Sequence, residues 1–514
     1  MAACSWAGAV RAGFVPARNT KYFTTGGKIM SGIAGYVGKE AAVEKVGKMI
    51  EMIRHRGSNS SPVTKSLSSG SLAYVGANAN GVNGKKAPYV IIDGTLLRND
   101  ERQEISDADY LRKEYLHYGK EVFSKISGSY ACAIMDSNEC IVARDHVGAR
   151  PVIYCESPQG ELFFASEAKA LKHFTDCVEE LLPGHYYSTV EGCRQFENVP
   201  VDLPAWENTE QAIRAVREVM IQAVEDALSN GNGNIEGVAL SGGLDSSIIL
   251  AIAHQYNKKL KAFTATLAGH PGEDLQYAKM LAEELGVEHH IYEITLDDIK
   301  AIIPEAVWYL ESFDEDCIVG FIANYYASRL AARHVNSVLV GEGADELFGG
   351  YFRELQDIED PAEKERVARK LVDIAYNTAL RRLDRGWMSN SIEYHAPFLH
   401  PAVVAMSNTL PMELKVYEGE VSVEKWILRE AFRGILPREI ADRPKMRFSR
   451  GVGVDDQVEK VIPDHIGEKD LEQNPESSSG ISLQSPKELY YYRLFQQQFP
   501  SGYEGLVARW DPFK

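Results

Sequence analysis

Two different patterns of apolar and polar residues divide the chain near residue 200. Between residue 31 and about residue 200, short β-rich runs alternate with turns and with two helical stretches, at 40–53 and 107–118. Beyond about residue 206, long amphipathic helices separate short apolar strands at 237–240, 261–266 and 337–340. The first pattern is typical of strands with helices packed on them, and the second predicts a parallel sheet with helical crossovers. We therefore predict an α/β protein with domains at 31–200 and 206–514, joined through a Pro-bearing stretch at 198–204.

The first 29 residues form a separate segment whose charged residues are all basic: Arg11, Arg18, Lys21 and Lys28. An acid-free leader with arginines is typical of an organellar transit peptide, although serine is scarce in it. An extension that precedes the true start at Met30 explains the same residues. Both interpretations stay open, so we expect a cytoplasmic protein, or a mitochondrial matrix protein if the leader is a transit peptide.

Composition excludes several functional classes. The chain has 514 residues and a formal net charge of −18. No apolar run in it approaches the roughly 20 residues that a membrane span requires. The acidic balance disfavours nucleic acid as the main partner, because phosphate binding needs clustered Lys and Arg. The seven cysteines include no Cys-x-x-Cys pair, which predicts free thiols in a reducing compartment.

The strongest motif follows the strand at 237–240. Ser241-Gly242-Gly243-Leu244-Asp245-Ser246-Ser247 combines adjacent glycines with three hydroxyls, and a helix follows it. Such a loop lets backbone N–H groups approach an anion, and the dipole of the helix adds positive potential there. An ordinary turn is the alternative, but the strand before the loop and the helix after it favour phosphate binding. The loop lacks the Gly-Lys-Ser/Thr ending of the common kinase-type loop.

A second motif, at 340–351, carries Glu342 and Asp345 at the end of the strand 337–340. Asp245 and Asp345 therefore both lie at strand ends, on the edge where open α/β sheets bind ligands. Hard carboxylate oxygens in that position suit Mg²⁺ that carries ATP phosphates.

Together these motifs closely resemble the asparagine synthetase family and its β-lactam synthetase relatives. The loop resembles that of ATP pyrophosphatases, which cleave ATP to AMP and pyrophosphate. The similarity covers nearly everything from Met30 onward and continues through further motifs: Pro397-Phe398-Leu399, Lys425-Trp426-Ile427-Leu428-Arg429, Arg443-Pro444-Lys445 and Trp510-Asp511-Pro512. It implies an N-terminal Ntn-hydrolase-like αββα sandwich of the glutaminase type. It also implies a C-terminal ATP-pyrophosphatase (HUP-like) parallel-sheet domain with a helical lobe.

The resemblance assigns roles to particular residues. Glu342 would orient the acceptor and take protons from the attacking nitrogen, and Lys445 would stabilise charge as the α-phosphate is attacked. Asp245 and Asp345 would bind Mg²⁺. The expected ATP and pyrophosphate site comprises Leu240, Ser241, Gly242, Gly243, Asp245, Ser246, Ser247, Thr266 and Gly341.

The glutaminase site departs from the family pattern. Ser31 stands where the family has a catalytic cysteine, and a hydroxyl is a much weaker nucleophile than a thiolate. Asp93 replaces the asparagine of the family's Asn-Gly, while Arg56 is kept and could still bind a carboxylate. We therefore expect that glutamine hydrolysis is lost.

The acceptor site also differs, because Asp316-Cys317-Ile318-Val319 stands where asparagine synthetases carry Thr-Thr-Ile-Arg. Losing an arginine and gaining acid disfavours an anionic acceptor. Two interpretations stay open: an aspartate acceptor held by other cations such as Arg382, or a different carboxylate, for instance one with a cationic group.

The sequence thus predicts an ATP-dependent amide-forming ligase that uses ATP and Mg²⁺, a small carboxylate, and ammonia, an amine or glutamine. A homodimer is compatible with this. The alternatives are a β-lactam-synthetase-like or other amide ligase on a non-aspartate acceptor, a tRNA-modifying pyrophosphatase and a non-catalytic regulator.

Overall fold

The computed structural model describes most of the chain from residue 31 to residue 509. The described ranges are 31–38, 42–57, 61–67, 70–76, 87–98, 105–230, 235–269, 272–351, 355, 358, 360–419, 422–444, 454–463 and 465–509. The proposed leader at 1–29 and the proposed catalytic Lys445 lie outside the described residues.

The strands of the first half form two antiparallel sheets. In chain order they are β1 (Ser31–Val37), β2 (Val63–Leu67), β3 (Gly70–Gly76), β4 (Tyr89–Leu97), β5 (Ser127–Met135), β6 (Cys140–Arg144), β7 (Ile153–Glu156), β8 (Leu162–Ala165), β9 (Glu179–Glu180), β10 (His185–Ser188) and β11 (Gly192–Gln195). The first sheet has the order β2-β3-β1-β8-β7-β9, and the second has the order β11-β10-β6-β5-β4.

Side chains that alternate along these strands form one apolar layer between the two sheets and further apolar layers on their outer faces. Adjacent residues of a strand point to opposite faces, and in β1 Ile33 joins the core between the sheets while Ala34 joins the core outside them. A helix with Met49 packs on that outer face, and a helix with Leu111 covers the outer face of the other sheet. The result is a helix–sheet–sheet–helix sandwich, which confirms the predicted fold of this half.

A parallel sheet forms the centre of the second half. Its strands are β12 (Gly237–Ala239), β13 (Lys261–Leu267), β14 (Glu288–Ile294), β15 (Ser337–Leu339) and β16 (Glu393–His395), in the spatial order β14-β13-β12-β15-β16. All four pairings are parallel, as the alternation of helices and strands predicts. The edge strand β16 was missed, because three residues inside a helical region give no distinct pattern.

Helices cover both faces of the parallel sheet and continue into a helical lobe. The α-helices of the described chain are α1 (Val43–Met52), α2 (Asp107–Tyr118), α3 (Thr209–Asn230), α4 (Leu244–Tyr256), α5 (Asp274–Leu285), α6 (Leu296–Leu310), α7 (Glu315–Ala331), α8 (Ala344–Phe348), α9 (Pro361–Asp373), α10 (Ala379–Met388), α11 (Pro401–Thr409), α12 (Met412–Lys415), α13 (Trp426–Phe432), α14 (Arg438–Ala441), α15 (Asp455–Val458), α16 (Glu468–Gln473) and α17 (Pro486–Gln498). Among the helices that the structure describes, none has the length and apolar character needed to cross a bilayer.

One apolar core crosses the boundary between the two halves of the chain. One continuous cluster of buried side chains contains Ala34 and Phe163 of the first half together with Phe313, Tyr491 and Tyr503 of the second. Further contacts join the chain's end to the first half, since the guanidinium of Arg381 donates to the carbonyl of Leu506 and also pairs with Glu180. The two halves therefore share an apolar core.

Candidate active site

The phosphate-loop candidate lies between β12 and α4, where the chain turns sharply. Gly242 has a φ of 86°, and a Cβ at this position would lie 2.1 Å from the carbonyl oxygen of Asp274, so only glycine fits. The Ser241 hydroxyl accepts a hydrogen bond from the N–H of Gly243 at 3.2 Å and lies 3.0 Å from the Ser246 hydroxyl. These contacts fix the loop at the N-terminus of a helix, where an anion is favoured.

The loop after β15 packs directly against the first loop. A Cβ at Gly341 would lie 2.9 Å from the backbone nitrogen of Ser246, so the close approach of the loops depends on glycine here. Gly343, with a φ of 98°, then turns the chain into α8, which begins beside Asp345. As predicted from their positions at strand ends, Asp245 and Asp345 come together at the same edge of the sheet.

A buried lysine lies between these two aspartates. The ammonium of Lys425 is 2.6 Å from Asp245 Oδ2 and 2.5 Å from Asp345 Oδ1. Burial alone would lower the pKa of Lys425, but the two carboxylates outweigh that effect and raise the pKa above its ordinary value. The Lys425 amine therefore stays protonated and neutralises part of the charge of the two carboxylates.

The carboxylate pair also fits a divalent cation that carries phosphate. Its position already holds one cation, the Lys425 ammonium, and the side chains of Asp245 and Asp345 keep 20% and 25% of their surface exposed. Mg²⁺ is usually bound through one or two carboxylates, with substrate phosphates and water completing the octahedron. Asp245 and Asp345 are thus the residues that would hold Mg²⁺.

A second ion cluster, around Arg382, also lines the cleft, and its position is called the acceptor end below. Arg382 on α10 donates to Glu342 Oε1 at 3.0 Å and to Asp316 Oδ2 at 3.1 Å. Removal from water raises the pKa of Glu342, Arg382 opposes this shift, and Asp345 and Asp245 reinforce it. Glu342 is therefore a better proton acceptor than an ordinary glutamate, and Arg382 holds it in place.

Two further arginines, Arg443 and Arg429, connect the phosphate loop to the segment that precedes Lys445. Arg443 donates to the carbonyl of Gly242 at 3.0 Å, pairs with Asp274 and stacks on the ring of Tyr277. Arg429 donates to the carbonyls of Ala441 and Arg443, both at 2.7 Å. The phosphate loop and the segment before Lys445 are thereby tied together.

These groups surround one cleft that is open to solvent. The predicted residues that line it are Leu240, Ser241, Gly243, Asp245, Ser246, Gly341, Glu342, Asp345 and Arg382. Gly242 supports the loop from behind, whereas Ser247 and Thr266 are buried and do not line the cleft. On β13 the lining residues are instead Phe263, Thr264 and Ala265. Asp316 reaches the cleft through its ion pair with Arg382.

The residues of the expected glutaminase site lie elsewhere, at the contact between the two halves. Ser31 begins β1, where it pairs with Gly76. Arg56 is fully buried and binds Asp93 Oδ2 at 3.0 Å and Glu167 Oε1 at 2.9 Å. It also binds both carboxylate oxygens of Asp384, at 2.7 and 3.0 Å. The cation that could bind a substrate carboxylate is engaged by carboxylates of the protein itself.

Sequence reasoning missed the roles of Lys425, Arg443 and Arg429. All three belong to motifs that carry the family resemblance, so their motif membership was an available signal. About 170 to 200 residues separate Lys425 from Asp245 and Arg443 from its partners Gly242 and Asp274. Asp345 precedes Lys425 by 80 residues, and no local pattern indicates any of these contacts.

Comparison with known proteins supports the similarity over nearly the whole chain. The asparagine synthase family model matches residues 215–364 and 353–499, and the glutamine amidotransferase domain model matches 78–173. Asparagine synthetase [glutamine-hydrolyzing] 2 of Oryza sativa subsp. japonica is 28% identical, over 94% of this chain and 88% of the relative. Asparagine synthetase [glutamine-hydrolyzing] 1 of Arabidopsis thaliana is 30% identical, over 80% and 73%. Asparagine synthetase B [glutamine-hydrolyzing] of Escherichia coli (strain K12) is 28% identical, over 90% of each chain.

The fold, the cleft and these matches define an ATP-dependent carbon–nitrogen ligase with an amidotransferase-like first half. Within that class the match to the family model covers more than half of the chain. The chain belongs to the asparagine synthase family.

Proposed function

We propose that this protein uses MgATP to adenylate a small carboxylate, releases pyrophosphate, and then lets ammonia or an amine displace AMP, without hydrolysing glutamine. The observation that carries the proposal is the single cleft into which the phosphate loop, the Asp245 and Asp345 pair, and Glu342 all project. The acceptor carboxylate oxygen attacks the α-phosphate, and pyrophosphate leaves. The nitrogen then forms a bond to the acyl carbon while the bond from that carbon to AMP breaks.

Within this reaction each group of the cleft has a separate task. The phosphate loop and the N-terminus of α4 bind the phosphates, and Mg²⁺ on the carboxylate pair would neutralise their charge. The resemblance assigns Lys445 to the transition state, and Pro444, which precedes it in the sequence, lines the cleft. Glu342 accepts the surplus proton of the attacking nitrogen, and burial, which raises its pKa above that of an ordinary glutamate, makes it a stronger base for that role.

The nitrogen source follows from the first half of the chain. Serine at position 31 removes the thiol, and Asp93 puts a carboxylate where an amide would meet the substrate. Arg56 is already engaged by Asp93, Glu167 and Asp384. A glutamine carboxylate would have to displace one of these buried partners, and uncovering a buried charge costs several kcal/mol. These features support ammonia or a free amine as the donor.

The charges around Arg382 bear on which carboxylate the cleft accepts. Arg382 is the cation at the acceptor end, and Glu342 and Asp316 both engage it. A dicarboxylate such as aspartate would have to compete with them, whereas a carboxylate that also carries a cationic group could pair with Asp316. The proposal includes both acceptors, and the carboxylate with a cationic group agrees better with the excess of acidic side chains around Arg382.

The test is a panel assay for pyrophosphate release from MgATP with L-aspartate, L-glutamate, L-lysine and L-arginine. Each acceptor is supplied with ammonium or with L-glutamine, and mass spectrometry identifies the amide. We expect release that depends on one acceptor and on ammonium, and Ser31→Ala should leave this rate unchanged. Pyrophosphate release without any acceptor would contradict ligation, and glutamine turnover equal to that with ammonium would contradict the assigned nitrogen source.

Glu342→Gln tests the second step of the reaction, in which the nitrogen displaces AMP. It keeps the shape of the side chain and its contact with Arg382 but removes the proton acceptor. Acceptor-dependent pyrophosphate release should persist while amide formation falls. Equal loss of both activities would show that Glu342 acts already in adenylation.

A further inference from the structure

Helix α10 connects the cleft to the first half of the chain through two different faces. Arg382, Leu383 and Trp387 line the cleft. On its other side, Asp384 and Arg385 enter a buried ion cluster that reaches across the contact between the halves. One short helix thus carries both the acceptor-end cation and the contacts with the amidotransferase-like half.

The buried ion cluster is here defined as Arg56, Asp93, Glu167, Lys169, Glu311, Asp384 and Arg385, and Arg150 of the first half adds a longer contact of 3.6 Å to Asp384 Oδ1. All are between 0% and 2% exposed. Arg385 makes three ion pairs in this cluster, at 3.0 Å from Glu311 Oε2, 2.8 Å from Asp384 Oδ2 and 3.5 Å from Glu167 Oε1. Lys169 of the first half binds the same Glu311 at 3.0 Å.

The contact between Arg56 and Asp384 has the geometry that fixes orientation most strongly. Two parallel N–H to oxygen bonds join the planar guanidinium to both oxygens of one carboxylate. Such bidentate pairs restrain angle as well as distance. The phenol of Tyr394, on β16 of the parallel sheet, shares its O–H between the carbonyl of Ala149 at 2.8 Å and Asp384 Oδ1 at 3.3 Å, so Asp384 has partners in both halves of the protein.

Asp384 follows Arg382 by two residues, so a tilt or rotation of α10 moves both side chains. Arg382 in turn holds Glu342 and Asp316 at the acceptor end. Small displacements of positioning groups reduce rates strongly, roughly 100-fold for about 1 Å. The chain therefore contains a continuous path from Arg56 through Asp384 and α10 to Arg382.

We propose that Arg56 and Asp384 are positioning residues through which the amidotransferase-like half holds α10 and aims Arg382 at the carboxylate acceptor. The first half thereby determines acceptor affinity in the synthetase cleft. This inference rests on the proposed function for its acceptor, but the placement of α10 can be measured independently.

The variant that tests the proposal is Asp384→Asn in the full chain. It preserves the shape of the side chain but removes the charge and puts an amide N–H against one N–H of Arg56. The matched control is Asp107→Asn in the first half, which removes a buried carboxylate outside the ion cluster that pairs with Arg98 and accepts from the backbone N–H of Leu96. Arg56→Lys serves as the second variant, because it keeps the charge and loses only the bidentate geometry.

Two measurements separate positioning from general stability. In steady-state assays with L-aspartate as the acceptor, and with L-arginine if L-aspartate is inactive, Asp384→Asn should raise the KM for the acceptor about tenfold. The KM for ATP should change less than about twofold, because the phosphate loop is not part of the path. Hydrogen exchange of peptides covering 379–388 should become faster in Asp384→Asn and Arg56→Lys but not in Asp107→Asn.

Equal increases in both KM values, or exchange at 379–388 that is unchanged in both variants, would overturn the proposal. So would an Asp107→Asn protein that shows the same acceptor defect. If no acceptor supports pyrophosphate release in the unaltered protein, the proposed function fails, and the exchange experiment still decides whether the first half positions α10.

Discussion

Replacing Lys425 with methionine tests the electrostatic core of the cleft most directly. The lysine is 2% exposed, and its ammonium contacts Asp245 at 2.6 Å and Asp345 at 2.5 Å. Methionine has a similar length and remains apolar, so Lys425→Met removes the charge and little volume. The two carboxylates then face each other without the cation that separates them.

The magnitude follows from Coulomb's law. Because both carboxylate oxygens contact one ammonium, at 2.6 and 2.5 Å, they lie within about 5 Å of each other, and two unit charges at that limit repel by about 3 kcal/mol at an effective dielectric constant of about 20. The variant must accept this repulsion, protonate one aspartate, or bind a cation from solution. We expect the free energy of unfolding to fall by about 3 kcal/mol without divalent cation, and Mg²⁺ to restore much of that loss.

The assay is urea unfolding at neutral pH, once with EDTA and once with excess Mg²⁺. The matched control is Lys415→Met, because Lys415 donates to the hydroxyl of Ser407 instead of bridging two carboxylates. Burial lowers the pKa of Lys415 to about 8, so losing its charge should not create a need for Mg²⁺. If Lys425→Met unfolds like the unaltered protein in EDTA, with the same response to Mg²⁺, the ammonium does not neutralise the pair.

Two other substitutions test the site. Gly242→Ala should raise the KM for ATP at least about tenfold, because a left-handed φ costs an L-residue about 1–2 kcal/mol and its Cβ would meet the Asp274 carbonyl. Gly286→Ala is the control, because Gly286 has a φ of 69° and open space around it, so an alanine there has the backbone strain without a steric clash. It should leave the KM for ATP unchanged, and an equal rise of that KM in both variants would contradict the role of the clash at Gly242. Burial and the nearby Asp345 and Glu342 raise the pKa of Glu346 to about 7 from 4.5, so the folded state binds more protons and loses stability as pH rises between these values. Thermal unfolding of Glu346→Gln should therefore show a gain in Tm above pH 7 that shrinks toward pH 4.5, and a gain independent of pH would contradict the raised pKa.

The parts that could be predicted depend on local pattern. Alternating apolar residues indicated the antiparallel strands, and the strand-to-loop transitions placed Asp245 and Asp345 at one edge because parallel strands end together. The position of Lys425 depends on packing of the helical lobe and has no local signal. Thr266 shows a related limit: strand residues 264 and 265 line the cleft, and the sequence does not reveal how far along β13 the cleft extends.

Asp384 shows why interdomain contacts are hardest to infer. Within the sequence it is one acid on an amphipathic helix, and a solvated surface position is the ordinary expectation. Its burial results from Arg56, 328 residues earlier in the chain. The altered glutaminase residues could be identified from Ser31 and Asp93, but only the folded chain indicates which carboxylates engage Arg56.

The apolar core shared by the two halves has a consequence for biosynthesis. Ala34 and Phe163 pack in one cluster with Tyr491 and Tyr503, so the nascent first half leaves the ribosome before the side chains that cover it exist. At about 5–20 residues per second, the intervening stretch of about 300 residues takes on the order of 15 to 60 seconds to synthesise. During that interval helix α1 covers part of the outer face of the first sheet, and the part that packs against Tyr491 and Tyr503 stays exposed to water.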